Sequence, residues 1–131
     1  MKLKALLICE DIRLEVGGTV TLVGVFNERL IAPPGEGALQ IPKLAFLAVV
    51  GGLRGVERLG FRQWIRLEED VPEDRPLAYE GHDPVNDEHN FVFVQSPMVF
   101  PDAGTYEVAL DVEVDGRLQG YRYRFSVERA P

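Results

Sequence analysis

The stretch in which chemically competent side chains crowd together is Glu80-Gly81-His82-Asp83-Pro84-Val85-Asn86-Asp87-Glu88-His89-Asn90, which holds both histidines of the chain among several carboxylates. Imidazole and carboxylate are the donors of a zinc site and the acid and base of a hydrolase, so His82, Asp83, Asp87 and His89 are the metal or acid–base candidates. Such a centre needs three or four ligands converging on one point with oriented partners behind them. Two histidines across a proline-containing loop do not impose that convergence, and the plain reading is a solvated polar loop.

Other chemistries have less support. Glu68-Glu69-Asp70-Val71-Pro72-Glu73-Asp74-Arg75-Pro76 has the composition of a cation site but no glycine-centred calcium-loop spacing, and reads as a second solvated loop. Gly51-Gly52-Leu53-Arg54-Gly55 is rich in glycine, yet lacks the Gly-Lys-Ser/Thr ending and following helix of a phosphate loop, and is expected to be a turn or bulge. The only serines are Ser96 and Ser126, with no Gly-x-Ser-x-Gly elbow. Cys9 lies in an apolar run where a thiolate is disfavoured. No catalytic residue is assigned, and no cofactor is called for.

Binding is better represented. From Phe61 to Glu68 the residues alternate, with Phe61, Gln63, Ile65 and Leu67 on one face and Arg62, Trp64, Arg66 and Glu68 on the other. Tryptophan and arginine are enriched at binding hot spots, and a guanidinium can stack on an indole. Trp64, Arg62 and Arg66 are therefore the interaction candidate, with a homo-oligomer burying Trp64 as the expected use. The alternative is a half-buried indole lying under arginine stems.

The elements that must position these groups are strands. Tyr106, Val108, Leu110, Val112 and Val114 alternate with Thr105, Glu107, Ala109, Asp111 and Glu113, the period of a strand with one packed face and one wet face. Asp115-Gly116 suits a two-residue turn with positive φ at both positions. Counting back from that turn pairs Val114 with Arg117, Leu110 with Tyr121, Val108 with Tyr123 and Tyr106 with Phe125, and sets Glu107 opposite Arg124 on the wet face.

Earlier in the chain, Leu3 to Cys9 continues through Ile12, Leu14 and Val16 as a first strand, and Gly17-Gly18 turns it into Thr19 to Phe26. Ala32 to Pro42 is expected to be an irregular connection because of its prolines and glycines. Leu44 to Val50 is an unbroken apolar run, read as a central strand buried on both faces. Leu77 to Gly81 is a short edge strand, and Phe91 to Val94 and Met98 to Phe100 are further strands. The fold class is all-β, an antiparallel sandwich of about seven to nine strands in a single domain spanning residues 1–131.

Two resemblances follow from these segments. The spacing Asp102-x-Gly104-x-Tyr106 resembles the entry to the penultimate strand of immunoglobulin-like sandwiches, which implies that the tyrosine hydroxyl bonds back to nearby backbone. Antibody-type domains carry a cysteine two residues after that tyrosine; Val108 stands there. The segments Cys9-Glu10-x-x-Arg13-x-Glu15 and Gly18-Thr19-x-Thr21-Leu22-x-Gly24-Val25-Phe26, with Pro101-x-x-Gly104-x-Tyr106, are similar to a family of uncharacterised bacterial proteins. That likeness implies a bacterial source and brings no site with it.

The net charge of −7 argues against nucleic acid or an anionic membrane as partner. A single cysteine permits no internal disulfide and favours a reducing, cytoplasmic setting. The lysines and short apolar run before Cys9 fall short of an export signal, and no stretch is long enough to span a membrane as a helix. The sequence points to a non-enzymatic interaction or structural domain with a protein partner. A metal-dependent hydrolase or small-ligand binder using the His82–His89 loop is the alternative.

Overall fold

The computed structural model describes residues 1–67, 77–81 and 87–131, with backbone alone for residues 66, 67, 80 and 81. The described chain is strand and turn throughout: β1 (Lys2–Leu14), β2 (Val20–Phe26), β3 (Arg29–Ala32), β4 (Leu39–Ile41), β5 (Leu44–Gly51), β6 (Arg58–Leu67), β7 (Ala78–Gly81), β8 (His89–Gln95), β9 (Met98–Phe100), β10 (Gly104–Val114) and β11 (Arg117–Arg129). One sheet runs β2-β1-β5-β8 and the other β3-β11-β10-β6-β7, with a short β4-β9 pair beside them. Their inner faces meet in a single sandwich core. His82 and Asp83 lie outside the described residues, as do the acidic residues 68–70, 73 and 74.

The hairpin of β10 and β11 has the expected register, with Val114 opposite Arg117, Leu110 opposite Tyr121 and Tyr106 opposite Phe125. Asp115 and Gly116 have φ of 46° and 85°, the left-handed pair that matches the natural twist of a tight hairpin. Asp115 also ties this turn to the start of β6, since its Oδ1 accepts the backbone N–H groups of Glu57 and Arg58 at 3.3 and 3.0 Å.

At the other end of β10 the Tyr106 hydroxyl donates to the Asp102 carbonyl at 2.8 Å, the corner that the Asp-x-Gly-x-Tyr spacing implies. Tyr106 is buried against Phe100 and Phe125. Tyr106→Phe keeps that packing and removes the bond from a buried hydroxyl to the Asp102 carbonyl, so a loss of about 1 kcal/mol is expected in urea denaturation. An unchanged midpoint would show that the corner bond is immaterial.

Two strands were not foreseen: β4 lies within residues 32–42, read as irregular for their prolines and glycines, and β3 just before them. β3 pairs in parallel with the end of β11, and β4 pairs with β9. Each is too short for a clear period, but Leu30, Ala32, Leu39 and Ile41 are all buried in the core. Burial of two alternate side chains, rather than propensity, holds each segment extended. These two account for eleven strands where seven to nine were expected.

The face of β10 expected to be wet is the larger correction. Glu107 and Asp111 are only 5% and 4% exposed, and Ala109 between them is fully buried. Alternation placed these side chains on the correct side of the sheet. What covers them is described next.

Candidate interaction surfaces

A sandwich has two outer faces, and here they are built from opposite chemistry. On the five-stranded sheet, register places Arg62, Asp111 and Gly120 in one row, Trp64, Ala109 and Arg122 in the next, and Arg66, Glu107 and Arg124 in a third. Arg62 Nε donates to Asp111 Oδ2 at 2.6 Å and Arg122 donates to Asp111 Oδ1 at 3.0 Å. The guanidinium of Arg122 also lies 3.5 Å from Glu107, and that of Arg124 lies 3.8 Å from it. Buried carboxylates are tolerable only when paired in this way.

Trp64 fits into this layer. Its ring has the Arg62 and Arg122 guanidinium carbons 5.7 and 5.4 Å from its centroid, and the residue is 7% exposed. The indole is thus covered within the chain, so it is no exposed anchor for a partner. Its N–H finds no hydrogen-bond acceptor among the described residues. Arg66 sits opposite Glu107 by backbone register. Sequence alternation found the right face of β6, but Arg122, which completes the stack, comes from β11 and was not foreseen.

Gly120 makes room for the network. A Cβ there would stand 2.9 Å from Asp111 Oδ1 and 3.0 Å from an Arg122 terminal nitrogen. Gly120→Ala is expected to push Arg122 off Asp111 and cost about 1–2 kcal/mol of stability, read from the thermal midpoint. A stability gain, as expected of an unhindered Gly→Ala in a strand, would contradict the packing described.

The outer face of the four-stranded sheet is aliphatic instead. Leu7, Leu47 and Val92 form one cross-strand row, and Val25, Cys9, Ala45 and Val94 form the next. Ile12, Leu22 and Val20 extend the patch, and this cluster is separate from the core between the sheets. Val25, Val92 and Val94 are 43%, 39% and 44% exposed on this face. Both signs of charge stand around it: Lys43 lies 3.4 Å from Asp11, Arg13 lies 3.8 Å from Asp11, and Lys4 pairs with Glu88. Cys9 is a free thiol here, and burial pushes its pKa up, so it is a packing residue with suppressed nucleophilicity.

An outer face of this kind was readable. An antiparallel sheet with one solvated face alternates, whereas a sheet covered on both sides has unbroken apolar strands. Ala5 to Cys9, Leu44 to Val50 and Phe91 to Val94 are three such runs, and the topology makes them neighbours in one sheet.

The histidine loop does not assemble a centre in what is described. His89 lies in β8 opposite Val50, its ring edge-on to Phe91 at 4.6 Å. Asp87 is a loop staple: its carbonyl accepts the Leu53 N–H at 2.9 Å and its Oδ1 the Arg54 N–H at 3.2 Å. Among the described residues no three His, Cys, Asp or Glu side chains are grouped to hold a metal. No helix among them is long and apolar enough to cross a membrane.

No protein-family model matches the chain, and no curated protein matches it either.

Proposed function

We propose that the protein is a non-enzymatic interaction domain whose working surface is the outer face of the four-stranded sheet, and that the occupant of this face is a second copy of the chain. The observation carrying the reading is the contrast between the two outer faces. The five-stranded sheet covers its own face with Trp64 and paired arginines, and the four-stranded sheet leaves Val25, Val92 and Val94 exposed around the buried Leu47, Ala45 and Cys9. A contiguous apolar patch rimmed by polar groups is the usual mark of a protein contact.

Three features favour a second copy. The face is a nearly plain aliphatic sheet, and such a surface is complementary to itself in an isologous pair. Its charged rim has both signs, so two-fold packing can set Lys43 or Arg13 of one copy against Asp11 of the other without stacking like charges. Four strands about 4.8 Å apart and about seven residues long give an apolar footprint of roughly 400 Å², about half of the ~800 Å² per partner of a stable interface. That is the proportion expected of an apolar centre within a polar rim.

The immunoglobulin-like reading of the sandwich rests on the Tyr106 corner, and a reducing, cytoplasmic setting is the one that suits a buried free Cys9. Sedimentation velocity across a concentration series is the first test. The proposal expects a dimer that dissociates on dilution; a monomer at high concentration contradicts it.

A further inference from the structure

Beyond that docking face, the structure assigns a second site: a small-anion cleft at the end of the sandwich where the Asp115-Gly116 turn meets the loop Gly52–Gly55. The cleft has a volume of about 570 Å³, and its lining includes Arg54, Val56, Val114, Asp115, Arg117 and Leu118. That size suits a small organic molecule.

The state of the arginines carries the argument. Arg62, Arg122 and Arg124 sit in the network over Trp64. Arg29 donates to Glu128 at 2.7 Å, Arg13 faces Asp11, Arg129 donates to the Gly37 carbonyl, and Arg58 stacks on Tyr79 at 3.8 Å. Among the described residues, two guanidinium groups remain with no carboxylate, carbonyl or ring partner, Arg54 and Arg117, and both line this cleft. In a chain with 21 acidic against 14 basic residues, two arginines left unpaired in the same place are not expected from composition.

The one acid in the lining forms no ion pair with them; Asp115 Oδ1 accepts instead from the N–H groups of Glu57 and Arg58. Asp87 likewise fixes the backbone of Arg54 through its N–H and leaves the side chain to solvent. The glycine-rich loop is therefore no phosphate loop of the nucleotide-binding kind. It is a stapled turn whose Arg54 lines the same cleft as Arg117.

Guanidinium groups recognise phosphate and carboxylate oxygens through paired, charge-assisted hydrogen bonds. Val56, Val114 and Leu118 add an apolar wall, with Leu118 exposed. The matching ligand is a small organic anion whose phosphate or carboxylate head sits on the arginines and whose apolar body lies on Leu118. A polyanionic strand is disfavoured by the net charge of −7.

Titration with phenyl phosphate, benzoate and inorganic phosphate, followed by amide chemical shifts at Gly55 and Leu118, tests this at constant ionic strength. Saturable shifts are expected with phenyl phosphate, benzoate or both, which also separates phosphate from carboxylate preference. Arg54→Gln and Arg117→Gln should each weaken binding about tenfold or more, and Arg29→Gln should leave it unchanged. Leu118→Ser should weaken phenyl phosphate and spare inorganic phosphate. Linear shifts matched by sodium chloride, or wild-type affinity in either arginine variant, would overturn the assignment. All four positions are exposed, and unchanged circular dichroism checks that each variant is folded.

Discussion

Asp111→Ala is expected to lower the stability of the fold by about 3 kcal/mol, although the residue lies outside the core between the sheets. Its side chain is 6% exposed and accepts from two arginines at 2.6 and 3.0 Å. Removing it takes a buried carboxylate partner from both guanidinium groups and loosens the layer that covers Trp64. Arg62 and Arg122 remain 25% and 37% exposed, so water takes over part of the lost interaction, which places the effect at the low end of that for a buried pair. Asp111→Asn keeps the shape and one acceptor and should cost about half as much. Urea denaturation measures both, and an Asp111→Ala midpoint within error of wild type would mean that this face is merely solvated.

That face also marks where sequence reading succeeded and where it stopped. The hairpin register was legible to the residue because Asp115-Gly116 fixes the turn and a period of two leaves no freedom after it. The same period grouped Glu107 with Asp111 on one face of β10 and Arg62 with Trp64 on one face of β6; that the two faces are one follows from the pairing of these strands. It could not supply their exposure, which depends on Arg122 reaching across from β11 over a glycine at position 120. Charged residues on an alternating strand were read as solvated when they were paired.

β3 and β4 were missed for a different reason. With four and three residues they are too short to show a period, they are held by burial and pairing to distant strands, and the Pro and Gly of residues 33–37 lie between them. The aliphatic outer face left three unbroken apolar runs in the sequence, but that signal becomes a surface only when the topology β2-β1-β5-β8 lays the runs side by side.

Val94→Glu should dissociate the proposed dimer and weaken association by about 100-fold or more, equivalent to about 2.7 kcal/mol. Val94 lies beside Ala45 in the row containing Cys9 and is already 44% exposed in the single chain. The substitution therefore puts no charge into the fold, and the stability of the isolated chain should change by no more than about 0.5 kcal/mol. In a symmetric pair the same carboxylate enters the contact twice, desolvated and facing aliphatic side chains on both sides. Trp64→Phe is the informative contrast, because it alters the covered face and should leave sedimentation as in wild type. Loss of association in Trp64→Phe with retention in Val94→Glu would move the contact to the other sheet.

The most direct measurement is isotope-filtered nuclear Overhauser spectroscopy on a mixture of ¹³C-labelled and unlabelled chains. If the four-stranded sheet is covered by a second copy, the methyl groups of Leu7, Val25, Val92 and Val94 give cross-subunit contacts with one another, while those of Leu110 and Val112 in the core give none. Cross-subunit contacts that avoid these methyls, or no cross-subunit contacts at concentrations well above those of the sedimentation series, would contradict the assignment of this face as the docking surface.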